Sequence, residues 1–145
     1  SGLDLERAMI SPLCLGIAER ALELTVDFAK TRQQFGKPIA RFQALQWMTA
    51  DAATELETAR LLTRRAAWLH DAGKPFADAA ARACHLSTNH ARKITDRALQ
   101  MHGGYGYTED FPVERLYRDA YSLHALTGRT DLAKIEIAQS LARAL

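Results

Sequence analysis

Apolar residues recur every three or four positions almost from one end of this chain to the other, and nowhere do they alternate one-in, one-out. A strand buries every second residue, whereas a helix buries one face at a period of 3.6, so this pattern confines the chain to helices. Leu5, Ala8, Met9, Leu13, Ile17, Ala21, Leu24 and Phe28 form a first stripe. Pro12 interrupts it, so the helix either kinks there or restarts with Ser11 as N-cap and Pro12 in the first turn. Gly36 and Pro38 end this run. A second stripe holds Phe42, Leu45, Met48, Ala52, Leu56, Ala59, Leu62, Ala66 and Leu69, and "DAGKP" at 71–75 turns the chain. The third comprises Ala80, Cys84, Ser87, Ala91, Ile94, Ala98 and Met101, small enough for helices to approach closely along it. A short helix around 112–122 and a last one from about Asp131 complete the chain.

Long helices joined by short turns predict an all-α, antiparallel up-and-down helical bundle. Its 145 residues make one domain, and 48% hydrophobic with 25% charged residues is the composition of a globular protein. Helices over 39–71 and 76–102 would each be about 40 Å or longer. That length predicts that part of their surface is covered by something outside this chain, so self-association is expected. A net charge of +2, with bases scattered among acids, gives no nucleic-acid footprint. No apolar run approaches the roughly 18 residues of a membrane span, and the start "SGLDLER" does not resemble a signal peptide. Cys14 and Cys84 read as small core residues of a reducing compartment, without a disulfide.

Most sources of chemistry give no signal. His85 and His90 are five apart and share no helix face, so no metal site is expected. No nucleophile elbow is present. Two stretches are richer. "QMHGGYGYTEDFPVERLYRDA" at 100–120 invites a phosphate-cradle reading, but its double glycine follows a helix, where carbonyls collect, instead of preceding one. Gly103 or Gly104 as a left-handed C-cap accounts for one glycine only. In "TRQQFGKPIARFQALQ" at 31–46, Arg32 is either a charge favourable to the helix end or an anion clamp. Phe35 is either a plug over the core or a stacking face.

Together with the final "TDLAKIEIAQ", these two stretches resemble, in order and spacing, the C-terminal helical domain of the acyl-CoA dehydrogenase family. The resemblance covers residues 1–145 as that one domain and implies that the family's N-terminal helical and middle β-domains are absent from this chain. It implies a flavoprotein that oxidises an acyl-CoA thioester to its 2,3-enoyl form, and an isolated domain that is inactive. Implied partners are acyl-CoA, electron-transfer flavoprotein as electron acceptor, and further copies of the chain arranged as a dimer of dimers. The cofactor would be FAD. Gln100 and Gly104 match the positions where one subunit's backbone approaches the adenosine-diphosphate arm of FAD held mainly by its neighbour. From the other side, Arg32, Gln34 and Phe35 match residues reaching the pyrophosphate and adenine, and Gln43 matches a further flavin contact. Arg118 and Asp119 read as a structural ion-pair and capping set.

One departure from the family concerns the base. Most members place a glutamate in a Tyr-Glu-Gly-Thr stretch after the Arg-Asp-Ala motif, but here the segment reads "HALTGRTDLAK", with Thr127 or Gly128 at the glutamate position. The isovaleryl-CoA and long-chain branches carry their base on the first helix in a Glu-Arg pair. Glu6 and Arg7 match that pair, which implies Glu6 as the base. Arg7 would steady its charge or the substrate, and Asp4, Arg7 and Gly128 complete the implied substrate-binding set. Asp4 competes for the role of base but reads better as a helix cap. Two other readings stay open: a non-catalytic member or half-site subunit, and a flavin-dependent oxygenase or reductase on the same fold. The expected location is cytoplasmic, or the mitochondrial matrix in a eukaryote.

Overall fold

The computed structural model describes residues 2–126 and 130–144, with five α-helices and one two-residue ribbon among them. Helix α1 spans Gly2–Thr31. A minimal antiparallel pair follows, β1 (Gln33–Gln34) with β2 (Lys37–Pro38), in the register Gln33 opposite Pro38 and Gln34 opposite Lys37. One turn of 3-10 helix, Ile39–Arg41, leads into α2, Gln43–Asp71. Helix α3, Ala77–His102, runs into a second 3-10 segment, Gly103–Tyr107, and then come α4, Val113–Leu126, and α5, Thr130–Ala144. The architecture is the helical bundle that the periodicity predicts.

Helix α3 is the centre and touches each of the other four α-helices. Its buried residues are nearly all small: Ala80, Ala83, Ala91 and Ala98 with Cys84, Ser87, Thr88 and Thr95. Small side chains let neighbouring axes close in, and the hydroxyls avoid a burial penalty by bonding back into their own helix. Thr88 donates to the Cys84 carbonyl at 2.8 Å and Thr95 to that of Ala91 at 2.8 Å. Helix α2 buries the stripe read from its sequence, centred on Ala52, Leu56, Ala59 and Ala66. It is tied to α3 by a bidentate Arg97–Glu55 pair and by His90, whose Nδ1 donates to the Glu55 carbonyl at 2.8 Å.

Helix α1 corrects the sequence reading twice. Its buried face is Asp4, Arg7, Ser11, Cys14, Ala18, Ala21, Thr25 and Ala29, while Leu5, Met9 and Leu13 of the expected stripe are exposed. Both sets have helical spacing, and the small one was chosen because α1 lies close against α3. The helix also runs through Pro12 without restarting. Ser11 is therefore no cap; it is fully buried and donates to the Arg7 carbonyl at 3.1 Å.

Arg7, only 3% exposed, forms an ion pair with Glu136 and so fastens α1 to α5. Asp4 is likewise buried, in the first turn of α1. Arg118 pairs with Glu114 one turn earlier, at 2.8 Å, and not with Asp119 as the sequence suggested. Cys14 and Cys84 are free and buried, and burial, with Cys84 nearby, pushes the Cys14 thiol up to about 12. No described helix is long and apolar enough to cross a membrane.

Candidate functional site

The C-terminal ends of α1 and α3 lie side by side, because the two helices run parallel on either side of the chain reversal through α2. Between them opens a cavity of about 620 Å³ lined by Arg32, Gln34, Phe35, Gln100 and Gly104, five of the six residues singled out as cofactor contacts. Gln43, exposed at the start of α2, is not among the lining residues. The resemblance divided these residues between two sides of the cofactor; in the fold one chain carries all five around one hollow.

The ribbon explains how Phe35 is presented. Both residues of its turn have positive φ, Phe35 at 52° and Gly36 at 77°, the arrangement of a tight type I′ hairpin. Glycine takes that conformation freely, but for a bulky residue it costs of order 1–3 kcal/mol and persists only where the surroundings hold it. The strain leaves the ring 91% exposed, so Phe35 is not a plug over the core. Its edge meets Phe42, at 6.2 Å between ring centres, and Lys37 Nζ sits 4.6 Å from the Phe42 ring.

The floor was only partly legible. Phe28 stacks on His102 at 4.3 Å and meets Tyr105 and Phe111 edge-on, at 6.2 and 5.6 Å. His102 is buried, and its Nδ1 donates to the Ala98 carbonyl at 2.8 Å. Burial pushes its pKa down, against the raising effect of that hydrogen bond, so the ring is neutral at pH 7. Arg32 lies over Tyr105, 5.2 Å from the ring centre, which aims the guanidinium along the cavity wall. No lining residue is acidic. The aromatic interleaving in "HGGYGYTEDF" was the available signal; which rings would meet was not.

The three glycines divide their work. Gly103 ends α3 with φ 59° and ψ −136°, a glycine conformation but not the left-handed cap, and its N–H bonds to the Gln100 carbonyl. Gly106 is packed so tightly that a Cβ would lie 2.4 Å from the Leu99 carbonyl oxygen. Gly104 has neither reason: its φ is ordinary and a Cβ would meet nothing within 4 Å. Its bare backbone faces open space in the cavity wall.

Glu6 is exposed on the opposite end of α1, on the outward side with Met9 and Leu13. Twenty-six residues of helix separate it from Arg32, roughly 39 Å at 1.5 Å per residue. Thr127 and Gly128, the loop positions weighed for the base and the substrate, lie outside the described residues. Among the described residues no group of three or more metal-ligating side chains comes together.

Residues 1–142 match the family described as acyl-CoA dehydrogenase, C-terminal domain, and the chain belongs to that family. Among curated proteins it is 45% identical, over 139 residues, to the acryloyl-CoA reductase (NADH) of Anaerotignum propionicum, covering 96% of this chain and 35% of that protein. Among solved structures it resembles butyryl-CoA dehydrogenase from Megasphaera elsdenii, with TM-score 0.94, 38% identity, and coverage of 97% of this chain and 37% of that one. A chain in the structure described as electron transferring flavoprotein of Acidaminococcus fermentans, towards a mechanism of flavin-based electron bifurcation, matches with TM-score 0.95 and 43% identity, covering 97% and 37%. The chain thus spans little more than a third of the length of these relatives.

Proposed function

We propose that this chain is the C-terminal helical domain of an FAD-dependent enzyme that oxidises an acyl-CoA thioester to the 2,3-enoyl-CoA. The N-terminal helical and middle β-domains would supply the rest of the relatives' length. One observation carries the reading: Arg32, Gln34, Phe35, Gln100 and Gly104 converge on one acid-free cavity, whose wall includes both a strained, exposed ring and a bare glycine backbone. These features fit the adenosine-diphosphate arm of FAD. Arg32 provides a guanidinium for the pyrophosphate, Phe35 a face for the adenine, Gln34 and Gln100 amide donors and acceptors, and Gly104 room for close approach. Gln43 would reach a further part of the cofactor. When bound, FAD supplies the acceptor for the hydride leaving the β-carbon.

Glu6 is proposed as the base whose carboxylate takes the α-proton. The roughly 39 Å between Glu6 and Arg32 means that the two ends of one domain serve different active sites. That supports an oligomer, a dimer of dimers, in which one copy's cavity holds the arm of a cofactor seated mainly on its neighbour. Asp4 and Arg7 would then act on the substrate only through the position of Glu6, since both are buried. Gly128 is kept as a proposed substrate contact. Electron-transfer flavoprotein is the proposed electron acceptor, on the strength of the Acidaminococcus match. Two buried free thiols suit a reducing compartment, cytoplasm or mitochondrial matrix. The Anaerotignum relative, named a reductase, favours one second reading: the same thioester site run in the reducing direction.

The test uses the full-length protein. Glu6→Gln should keep its FAD and its acyl-CoA binding while flavin reduction by acyl-CoA slows by about 10²–10⁴-fold, the usual contribution of a general base. Rapid mixing under anaerobic conditions measures it. Reduction at the unaltered rate would remove Glu6 from the mechanism; FAD retained after Arg32→Ala and Gly104→Val together would remove the cofactor assignment.

A further inference from the structure

Helix α1 is gripped differently at its two ends. From Ile10 and Cys14 onward it packs into the main hydrophobic cluster. Its first turns have no such grip: the buried residues there are Asp4, Arg7 and Ser11, all polar, while Leu3, Leu5 and Met9 are exposed. The Ser11 hydroxyl bonds back to the Arg7 carbonyl of its own helix. Arg7 instead reaches another element, its Nη1 donating to Glu136 Oε2 on α5.

This contact fixes Arg7 firmly. The side chain is 3% exposed and its Nε has no hydrogen-bond partner among the described residues, so swinging away from Glu136 would leave a desolvated charge uncompensated. Glu6 is the preceding residue, and whatever fixes Arg7 fixes the turn from which Glu6 projects. Both charges act on the buried Cys84 thiol of α3: burial raises its pKa, Arg7 lowers it and Glu6 raises it. Both side chains therefore lie near one point of α3. Helix α5 begins at Thr130, directly after the 127–129 segment that contains Gly128, the proposed substrate contact. Glu136 thus ties the helix bearing the proposed base to the helix that follows that contact.

We propose that Glu136 is a positioning residue for the proton transfer, holding through Arg7 the turn of α1 that presents Glu6 to the substrate. This rests on the reading of Glu6 as the base. Proton transfer is steep in geometry, and a displacement of about 1 Å costs about 10²-fold in rate.

Anaerobic rapid mixing of the full-length enzyme with acyl-CoA tests it. Glu136→Gln, which keeps the shape and loses the charge, should slow flavin reduction at saturating acyl-CoA by about 10–10²-fold. FAD content and the half-saturating acyl-CoA concentration should stay as they were, because the loss is confined to the chemical step. Glu136→Asp keeps the charge one methylene short and should be slowed less, by roughly three- to tenfold. Neither substitution should slow Glu6→Gln further, since residues acting as a unit are not additive; a merely structural role would slow both backgrounds alike. If Glu136→Gln loses its FAD, Glu136→Asp carries the same comparison. A normal rate in both Glu136 variants, or equal slowing in the two backgrounds, would overturn the positioning role while leaving Glu6 as the base. A normal rate in Glu6→Gln would overturn the base itself, and this proposal with it.

Discussion

Gly104 and Gly106 stand two residues apart and make opposite predictions. A methyl group at Gly106 must displace backbone, since its Cβ would lie 2.4 Å from the Leu99 carbonyl oxygen and 3.1 Å from the His102 Cβ. Gly106→Ala should therefore cost about 1–3 kcal/mol in chemical denaturation, the range for overpacking. Gly104→Ala should leave stability within about 0.5 kcal/mol and instead weaken FAD retention in the full-length protein about tenfold. Equal stability losses at both would show that Gly104 serves the fold alone. The sequence showed a run of glycines but could not divide these roles, because steric need depends on what lies opposite each Cα. Phe35 teaches the same lesson: its residue type suggested either a plug or a stacking face, and only the positive φ of the hairpin decided between them.

At the scale of an element, α1 is held at its N-terminal end by Arg7 reaching Glu136 on α5. Arg7 is nearly fully buried and its Nε has no hydrogen-bond partner among the described residues, so removing the carboxylate strands a desolvated charge. Glu136→Ala should cost about 2–3 kcal/mol, at or below the low end for a broken buried pair because Glu136 keeps some contact with water. Arg7→Met, which removes the charge and keeps the volume, should cost less than Glu136→Ala. The reverse order in urea melts would mean that Arg7 stabilises by packing rather than by the pair. This latch also explains why the sequence misread the buried face of α1. Leu5, Met9 and Leu13 have the better hydrophobic spacing, but close approach to α3 and a charge pair with α5 select Asp4, Arg7 and Ser11.

For the molecule as a whole, His85, His102 and His124 share one property: burial, more than any neighbouring charge, holds each pKa below its ordinary value. Above about pH 6.5 all three are neutral whether the chain is folded or not, and their contribution to stability is complete. As pH falls through that value the unfolded chain takes up protons that the folded chain refuses, so stability falls with pH. His102 contributes at most about 1.4 kcal/mol per pH unit, and the half-buried His85 and His124 less, because water screens them. Melting temperature should drop between pH 7.5 and 5.5, and less so in His102→Gln. A flat profile would contradict the burial of these rings. What the sequence determined by itself was the helical class, the extents of the long helices to within a few residues, and the family, because period, breakers and motif spacing are local properties of the chain. The tertiary structure alone decided which face of α1 is buried, that five of the six marked cofactor residues share one cavity, and that Glu6 stands at the far end of the helix from it. Those facts depend on how closely helices approach and which ends meet, and no local pattern encodes that.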